Sequence, residues 1–440
     1  MPDNQLLSRL GREVLAEMEN DILPYWLSLK DPQGGFFGEA GADGTLHPDA
    51  ARGAILNARL VWTFSAAYNA LGRDECLGAA RWAYEYFTAR FIDSEYGGVY
   101  WSVSADGAPL DTKKQLYSQG FAIYGLAEYY RASGDRNALD AACALFRCVE
   151  EHFADNANGG CIEALSREFS PLEDMSLSAH DINADKTMNS HLHLLEAYAC
   201  LYSVWPDEAL GLRVRELLDI VCHRIMHPCG HLQLYFDNAW NVLPGGWSYG
   251  HDIETSWLAL ECAQILGDDA LTAEVSRCCR LLAAAGDEGL QDDGSMIYEF
   301  HPAAAPDAAG TDPSDTRATP DATVSQAAAS NAPAAQDAAP DTPAASEGTA
   351  DFFREWWVQA EAVVGNLWAW KYLSDSEGLE RAARTWDYIS SHLLDHDAGE
   401  WYWGINADGT PDLSRPKAGF WKCPYHNTRM CLQVAAIAAL

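Results

Sequence analysis

The sequence predicts an all-α protein, an (α/α)6 barrel (toroid) with short β-hairpins in the loops at one mouth, and three observations predict it. Glycine-led segments recur along the chain, helical apolar periodicity fills the intervals between them, and every second helix is apolar almost all round. The glycine-led segments alternate apolar and polar residues, as half-buried strands do. They are GGFFGEAGADG from Gly34, GGVYWSVSADG from Gly97, GGCIEALS from Gly159, GHLQLYFDN from Gly230, GSMIYEF from Gly294 and GEWYWGINADG from Gly399. Successive starts are 63, 62, 71, 64 and 105 residues apart. The long interval holds a stretch at about 302–350 of Ala, Pro, Asp, Ser and Thr, with no aromatic residue, which cannot form a core. It is expected to be a disordered, acidic loop extending one hairpin, and without it the period is restored.

The helices fall into two sets. Segments such as LLSRLGREVLAEM, AARWAYEYFTARF, ALDAACALFRCVEEHF and LERAARTWDYISSHLL carry one charged face. Six others follow the hairpins and are apolar on nearly every side: ILNARLVWTFSAAY, LYSQGFAIYGLAEYY, MNSHLHLLEAYACLY, HDIETSWLALECAQIL, WVQAEAVVGNLWAWKYL and YHNTRMCLQVAAIAAL. An inner ring of six enclosed by an outer ring of six satisfies both patterns, because each sixty-residue unit buries its apolar surface only against its neighbours. The expected organisation is one catalytic barrel over residues 1–440.

Composition sets further bounds. The 440 residues are 48% hydrophobic, and Lys+Arg of 29 against Asp+Glu of 64 gives a net charge of −35, a field that repels nucleic acid and anionic membranes. No export signal and no uninterrupted apolar run of membrane length is legible. The 12 cysteines are scattered, with no C-x-x-C pair, and are expected to be reduced thiols acting as small buried hydrophobes in a cytoplasmic protein.

The chemistry collects where the inner helices begin: Asn57, Arg59 and Trp62; Tyr117 and Gln119; Asn189, His191 and His193; His251, Asp252, Glu254 and Trp257; Trp356, Trp357 and Glu361; Trp421, Tyr425, His426 and Arg429. Inner helices that run the same way bring all six starts to one funnel. His251 has Glu254 at i+3, a spacing from which the carboxylate is expected to orient the ring, and His426 has Arg429 at i+3. Histidines at the starts of three helices exceed what packing needs. His191 and His193, two apart, face different sides of a helix, and no H-E-x-x-H spacing is present, so no metal is expected. Two imidazoles act as proton acceptor and donor on opposite faces of a carbon beside a carbonyl, provided groups such as Arg59, His193 or Asn189 stabilise the enediolate. Trp357 and Trp421 offer flat faces to a sugar ring.

The stretches NARLVWTFSAAY, GGVYWSVSADGAPLDTKKQLYSQGFAIYGLAEYYRASGD, MNSHLHLLEAY, YGHDIETSWL, WWVQAEAVVG and GFWKCPYHNTRMCLQ, in this order, resemble the N-acylglucosamine 2-epimerase superfamily, and within it the members that act on disaccharides. The insertion is the one clear departure. The resemblance implies reversible epimerisation at C2 of the reducing-end glucose of β-1,4-linked disaccharides such as cellobiose and lactose, through ring opening and a cis-enediolate. His251 and His426 then look like the acid/base pair and His193 like the group for ring opening and O1. Arg59 and Asn189 would contact the O1/O2 region and nearby hydroxyls, and Glu254 and Glu361 resemble carboxylates that hold histidines and sugar. Trp357 and Trp421 resemble aromatic walls, with Tyr117 beside them. The resemblance implies no cofactor and no metal, a small-molecule disaccharide as the only partner, and a monomer or homodimer. Other activities of the superfamily stand as alternatives, namely N-acylglucosamine or mannobiose 2-epimerisation and aldose–ketose isomerisation. From other classes come an inverting glycoside hydrolase using Asp252, Glu254 or Glu361, and a non-catalytic sugar-binding toroid.

Overall fold

The computed structural model describes residues 3–178, 181–302 and 348–439. Helix α1 (Asp3–Glu17) passes through one π-turn (Met18–Ile22) into the short α2 (Leu23–Ser28). There follow α3 (Ala54–Leu71), α4 (Asp74–Arg90), α5 (Leu116–Ser133), α6 (Arg136–His152), α7 (Met188–Val204), α8 (Glu208–Ile220) and α9 (Tyr249–Leu266). The last four are α10 (Asp269–Asp287), α11 (Trp356–Tyr372), α12 (Gly378–Tyr388) and α13 (Tyr425–Ala438). Helix α3 packs on α5, α5 on α7, α7 on α9, α9 on α11, α11 on α13, and α13 back on α3, so the inner ring closes. Helices α4, α6, α8, α10 and α12 each pack outside the inner helix before them, and α1 completes the outer layer beside α12 and α13. This is the expected (α/α)6 barrel. None of the described helices is long and apolar enough to cross a membrane.

The two expected helix classes differ in burial for the reason the patterns gave. Along α3 every residue from Ala54 to Ala67 is buried, whereas α8 buries only one stripe, Leu210, Val214, Leu217, Leu218 and Ile220. Gly72 and Gly134 end α3 and α5 at φ 66° and 70°, a left-handed conformation that lets the outer helix turn back within three residues. All twelve cysteines are free thiols, and Cys229 is the exposed one.

Each of the first five inner helices is preceded by a two-residue strand, which pairs antiparallel with the glycine-led hairpin of the next repeat. Arg52–Gly53 pairs with Ser102–Val103, Lys114–Gln115 with Ala164–Leu165, Lys186–Thr187 with Tyr235–Phe236, Trp247–Ser248 with Glu299–Pro302, and Arg354–Glu355 with Gly404–Ile405. The circle closes where Ala40 bridges Ala418. Glu299–Pro302 also pairs with Gly348–Asp351. Residues Gly348 to Ala350, which composition assigned to the insertion, are therefore part of a hairpin, and the rest of that segment, 303–347, lies outside the described residues.

Buried ion pairs anchor three of these strands, and the segment at the closing bridge, to the turn that opens their own repeat: Asp31 with Arg52, Asp93 with Lys114 at 3.0 Å, Asp155 with Lys186 at 2.6 Å, and Asp395 with Lys417. Arg52, Lys114 and Lys417 also donate to turn carbonyls, those of Gly34, Gly97 and Gly399. Burial pushes the Asp93 carboxyl upwards, yet Arg167 and Lys114 outweigh it and hold it below the usual carboxylate range. Removing one partner of such a pair leaves the other charged and buried, which costs about 3–5 kcal/mol. Asp93→Ala is accordingly expected to lose about that much stability in urea unfolding; a loss under about 1 kcal/mol would show the pair is dispensable.

Candidate active site

A polar side chain near the start of each inner helix reaches back to the backbone or hairpin beside it. Asn57 donates to the Gly53 carbonyl at 2.8 Å, and Gln119 accepts from Val99 N at 2.8 Å and donates to Val99 O at 3.0 Å. His191 accepts from Cys161 N at 3.0 Å through Nε2, its Nδ1 lying 2.7 Å from the Thr187 carbonyl. Asp252 accepts from Leu232 N at 2.8 Å and faces His231 Nδ1 at 2.7 Å. Gln359 bonds both backbone groups of Met296, and Asn427 donates to Glu400 at 2.9 Å. Five of these residues latch a hairpin to the ring and Asn57 ties its helix to the strand before it, so Asn57, Gln119, His191 and Asp252, gathered with the chemistry by the sequence, belong to the scaffold.

Two positions beyond each latch come Arg59, Phe121, His193, Glu254, Glu361 and Arg429; one or two positions before come Tyr117, Asn189, His251, Trp357 and His426. Positions three and four apart share a helix face, and here that face turns to the ring axis. A cavity of about 540 Å³ lies there, within the size range of small-molecule sites. It is lined by Arg59, Tyr117, Asn189, His193, His251, Glu254, Trp357, Trp421 and His426. Of the predicted site residues, Glu361 alone does not line it; it is fully buried beneath. Sequence reasoning missed Trp403, Glu355, Tyr298, Phe353 and Arg415 at the outer wall, and Leu177, Ser178 and Asp181 from the loop before α7. The one available signal was the third aromatic of GEWYWG, since Glu355 accepts from both Trp357 Nε1 at 2.7 Å and Trp403 Nε1 at 2.8 Å.

The cavity floor is organised by Arg429. Its guanidinium bonds Glu196 at 2.5 Å, Glu254 at 2.5 Å and Glu361 at 2.7 Å, and contacts the Tyr425 hydroxyl. Two of those carboxylates in turn hold imidazoles, Glu196 at 3.0 Å from His193 Nδ1 and Glu361 at 2.7 Å from His426 Nδ1. An ionised carboxylate only accepts, so the proton sits on Nδ1 and leaves Nε2 of each ring open. The expected pairing of His251 with Glu254 does not form. Glu254 is drawn to Arg429 on a neighbouring helix, and His251 Nδ1 lies 2.7 Å from Ser248 Oγ instead. His426 and Arg429 likewise do not pair; both end on Glu361.

Burial and the nearby His193 push His251 down to about 3, and burial with Arg429 holds His426 well below the usual imidazole value. Burial also lowers His193, against the opposing pull of Glu196. Burial and the neighbouring Glu361 raise Glu254, while Arg429 and His193 outweigh burial and lower Glu196. Glu254 Oε2 and Asn189 Oδ1 have no hydrogen-bond partner among the described residues, so both are available to a bound hydroxyl. Arg59 is different in kind. Its guanidinium lies over Phe121 at 4.1 Å and Tyr425 at 4.6 Å and donates to Tyr117 at 2.8 Å and to Cys423 Sγ at 3.7 Å. No carboxylate among the described residues pairs with it.

Glu254, Glu361 and His426 are the one group of possible metal ligands among the described residues. Arg429 Nη2 already sits at both carboxylates, so the cation that such a cluster needs is a side chain. The same geometry disfavours a hydrolytic pair. Inverting glycosidases separate two carboxylates by about 6.5–9.5 Å with water between, whereas these two converge within 4.8 Å on one arginine and Asp252 is a latch.

The two candidate acid/base rings share a neighbour. Trp357 lies 4.7 Å from the His251 ring and 5.6 Å from the His426 ring, centroid to centroid. Because burial disfavours the charged form, protonation of His251 is displaced to lower pH than the ordinary 6.5. Histidine-labelled NMR of the free protein is expected to find His251 still neutral at pH 5.5; a titration midpoint near 6.5 would contradict it.

A family described as N-acylglucosamine 2-epimerase (GlcNAc 2-epimerase) has a model that matches residues 35–341 and 345–429. The chain is 42% identical over 428 residues to a cellobiose 2-epimerase of Bacteroides fragilis, covering 97% of this chain and 98% of that protein. It is 35% identical over 425 residues to a cellobiose 2-epimerase of Ruminococcus albus, covering 96% and 97%. The solved structure of cellobiose 2-epimerase from Bacillus thermoamylovorans B4167 superposes with a TM-score of 0.83 at 34% identity, covering 98% of this chain and 100% of that one. With ring, hairpins and sequence agreeing over nearly the whole length, the chain belongs to the N-acylglucosamine 2-epimerase family.

Proposed function

We propose that this protein is a cellobiose 2-epimerase, an isomerase that interconverts glucose and mannose configuration at the reducing end of a β-1,4-linked disaccharide. The observation that carries the chemistry is the pair of imidazoles, His251 on α9 and His426 on α13, against one indole of a cavity that also holds an unpaired guanidinium. The substrate class is supported by relatives named cellobiose 2-epimerase that are 31–42% identical over at least 96% of this chain.

The sugar enters as a ring, and His193, fixed by Glu196, passes the proton between O5 and O1 that opening requires. In the open aldose one imidazole takes the C2 hydrogen as a proton. The C–H electron pair becomes the C1–C2 double bond, and the carbonyl pair moves to O1. Arg59 stabilises the resulting cis-enediolate, being the cation in the cavity with no carboxylate partner. The second imidazole enters the step as an imidazolium protonated from solvent and returns a proton to the opposite face of C2, so the two rings have exchanged protonation states. Return of a proton to C1 instead would give a ketose. Asn189 offers an acceptor and Glu254 a free carboxyl oxygen to the hydroxyls, and Trp357 and Trp421 flank the sugars. Glu361 acts through His426. The scattered free cysteines support a cytosolic location, and closure of α13 on α3 supports one catalytic unit.

Incubation with cellobiose in D2O, followed by NMR, tests the proposal. The expected product is a glucosyl-mannose of unchanged linkage with deuterium at C2; released monosaccharide would indicate hydrolysis, and an unchanged sugar would indicate binding alone. His251→Ala and His426→Ala are each expected to reduce kcat by at least about 10³-fold while thermal unfolding stays near wild type. Arg59→Met is expected to lower kcat by about 10²–10³-fold, the usual consequence of removing one group that stabilises an oxyanion; a drop below tenfold would remove Arg59 from that role.

A further inference from the structure

We propose that Ser248 is a positioning residue of the reaction, whose hydroxyl aims the imidazole of His251. This rests on His251 being an acid/base group, as argued above. Ser248 stands at the N-cap of α9, where a serine ordinarily accepts a backbone N–H of the first turn. It makes no such bond. Thr187, in the corresponding place before α7, does cap its helix and accepts from Ser190 N at 3.1 Å. The Ser248 side chain is fully buried, does not line the cavity, and lies with Oγ 2.7 Å from His251 Nδ1. Its hydrogen-bonding capacity is thus turned from the helix to the ring.

The choice of group has a chemical consequence. His193 and His426 are held through Nδ1 by carboxylates, Glu196 and Glu361, which stabilise an imidazolium. A hydroxyl hydrogen-bonded to Nδ1 also directs Nε2 at the substrate, yet adds no negative charge. His251 is therefore aimed at the cavity as its partner is, without a carboxylate at Nδ1.

The test compares Ser248→Ala, Ser248→Thr and His251→Ala in the full chain with cellobiose and its glucosyl-mannose epimer in D2O. Ser248→Ala is expected to lower kcat for epimerisation by about 10–10²-fold, the range seen when a group that orients a histidine is lost. KM is expected to stay within about twofold and the unfolding midpoint to stay unchanged, because no cap is lost. Ser248→Thr should recover most of the rate, since Thr187 shows that this backbone position accepts threonine. Hydrogen exchange at C2 should fall with epimerisation for the epimer that His251 deprotonates and remain near wild type for the epimer that His426 deprotonates. A lowered unfolding midpoint with kcat intact would make Ser248 a structural cap, and an equal fall in exchange for both epimers would remove its specific link to His251. Either result overturns the proposal. Full activity in His251→Ala would overturn the acid/base assignment beneath it, an outcome read from a different variant.

Discussion

The site depends on one buried guanidinium. Arg429 on α13 binds Glu196 from α7, Glu254 from α9 and Glu361 from α11, so a single side chain draws four of the six inner helices to a common point. Two of those carboxylates then fix His193 and His426. Three carboxylates around one cation carry an excess negative charge in a region that burial makes hostile to it, and the shift of Glu254 towards its protonated form relieves that excess. The arrangement is rigid because every member is held from more than one helix. An imidazole mounted on it has little freedom to turn away from the cavity.

Most of the architecture was legible before any coordinates, and the reasons are local. A six-fold period, strands that alternate and helices apolar on all sides leave a closed double ring as the arrangement that buries every face. The membership of the site was legible too, since starts of parallel inner helices must meet. The partnerships were not. Spacing along one helix says which residues share a face, but Glu254 at i+3 from His251 finds Arg429 across the ring, where the charge attraction is stronger than a contact with a neutral imidazole. His191 and Asp252 look chemical for a similar reason: a latch and a catalytic group draw on the same residue types. What separates them is a displacement of two residues along the helix, and only the register of Gln119 and Gln359 against Val99 and Met296 reveals which position latches.

That register divides the labour of each inner helix within a single turn and a half. The latch residue faces outward to the hairpin and fixes the height of the helix at the mouth; the residues beside it face the axis and do the chemistry. Because the hairpin latched by one repeat also pairs with the strand entering the previous inner helix, neighbouring repeats are locked at the same level. Catalytic groups on separate helices thereby keep their mutual distances without touching. The outer wall is built by another device. Glu355, on the strand before α11, gathers the indoles of Trp357 and Trp403, so the aromatic surface is set by hydrogen bonds at its polar edge as well as by packing.

The two buried arginines show how a strongly acidic protein accommodates an anionic intermediate. With a net charge of −35, the field of the molecule opposes any negative charge that develops inside it. Arg429 does not offset this, since its charge is already matched by three carboxylates. Arg59 does, because the groups around it are the rings of Phe121, Tyr425 and Tyr117 and the sulfur of Cys423, with no carboxylate among them. Aromatic faces stabilise the cation without neutralising it. Its field is left to act on whatever occupies the cavity, and it acts most strongly at the moment when an uncharged sugar becomes an enediolate. Stabilisation that is weak for the substrate and strong for the intermediate is what lowers a barrier rather than merely tightening binding. The pairing of one arginine and the isolation of the other thus serve separate ends, the first holding the bases in place and the second receiving the charge they create.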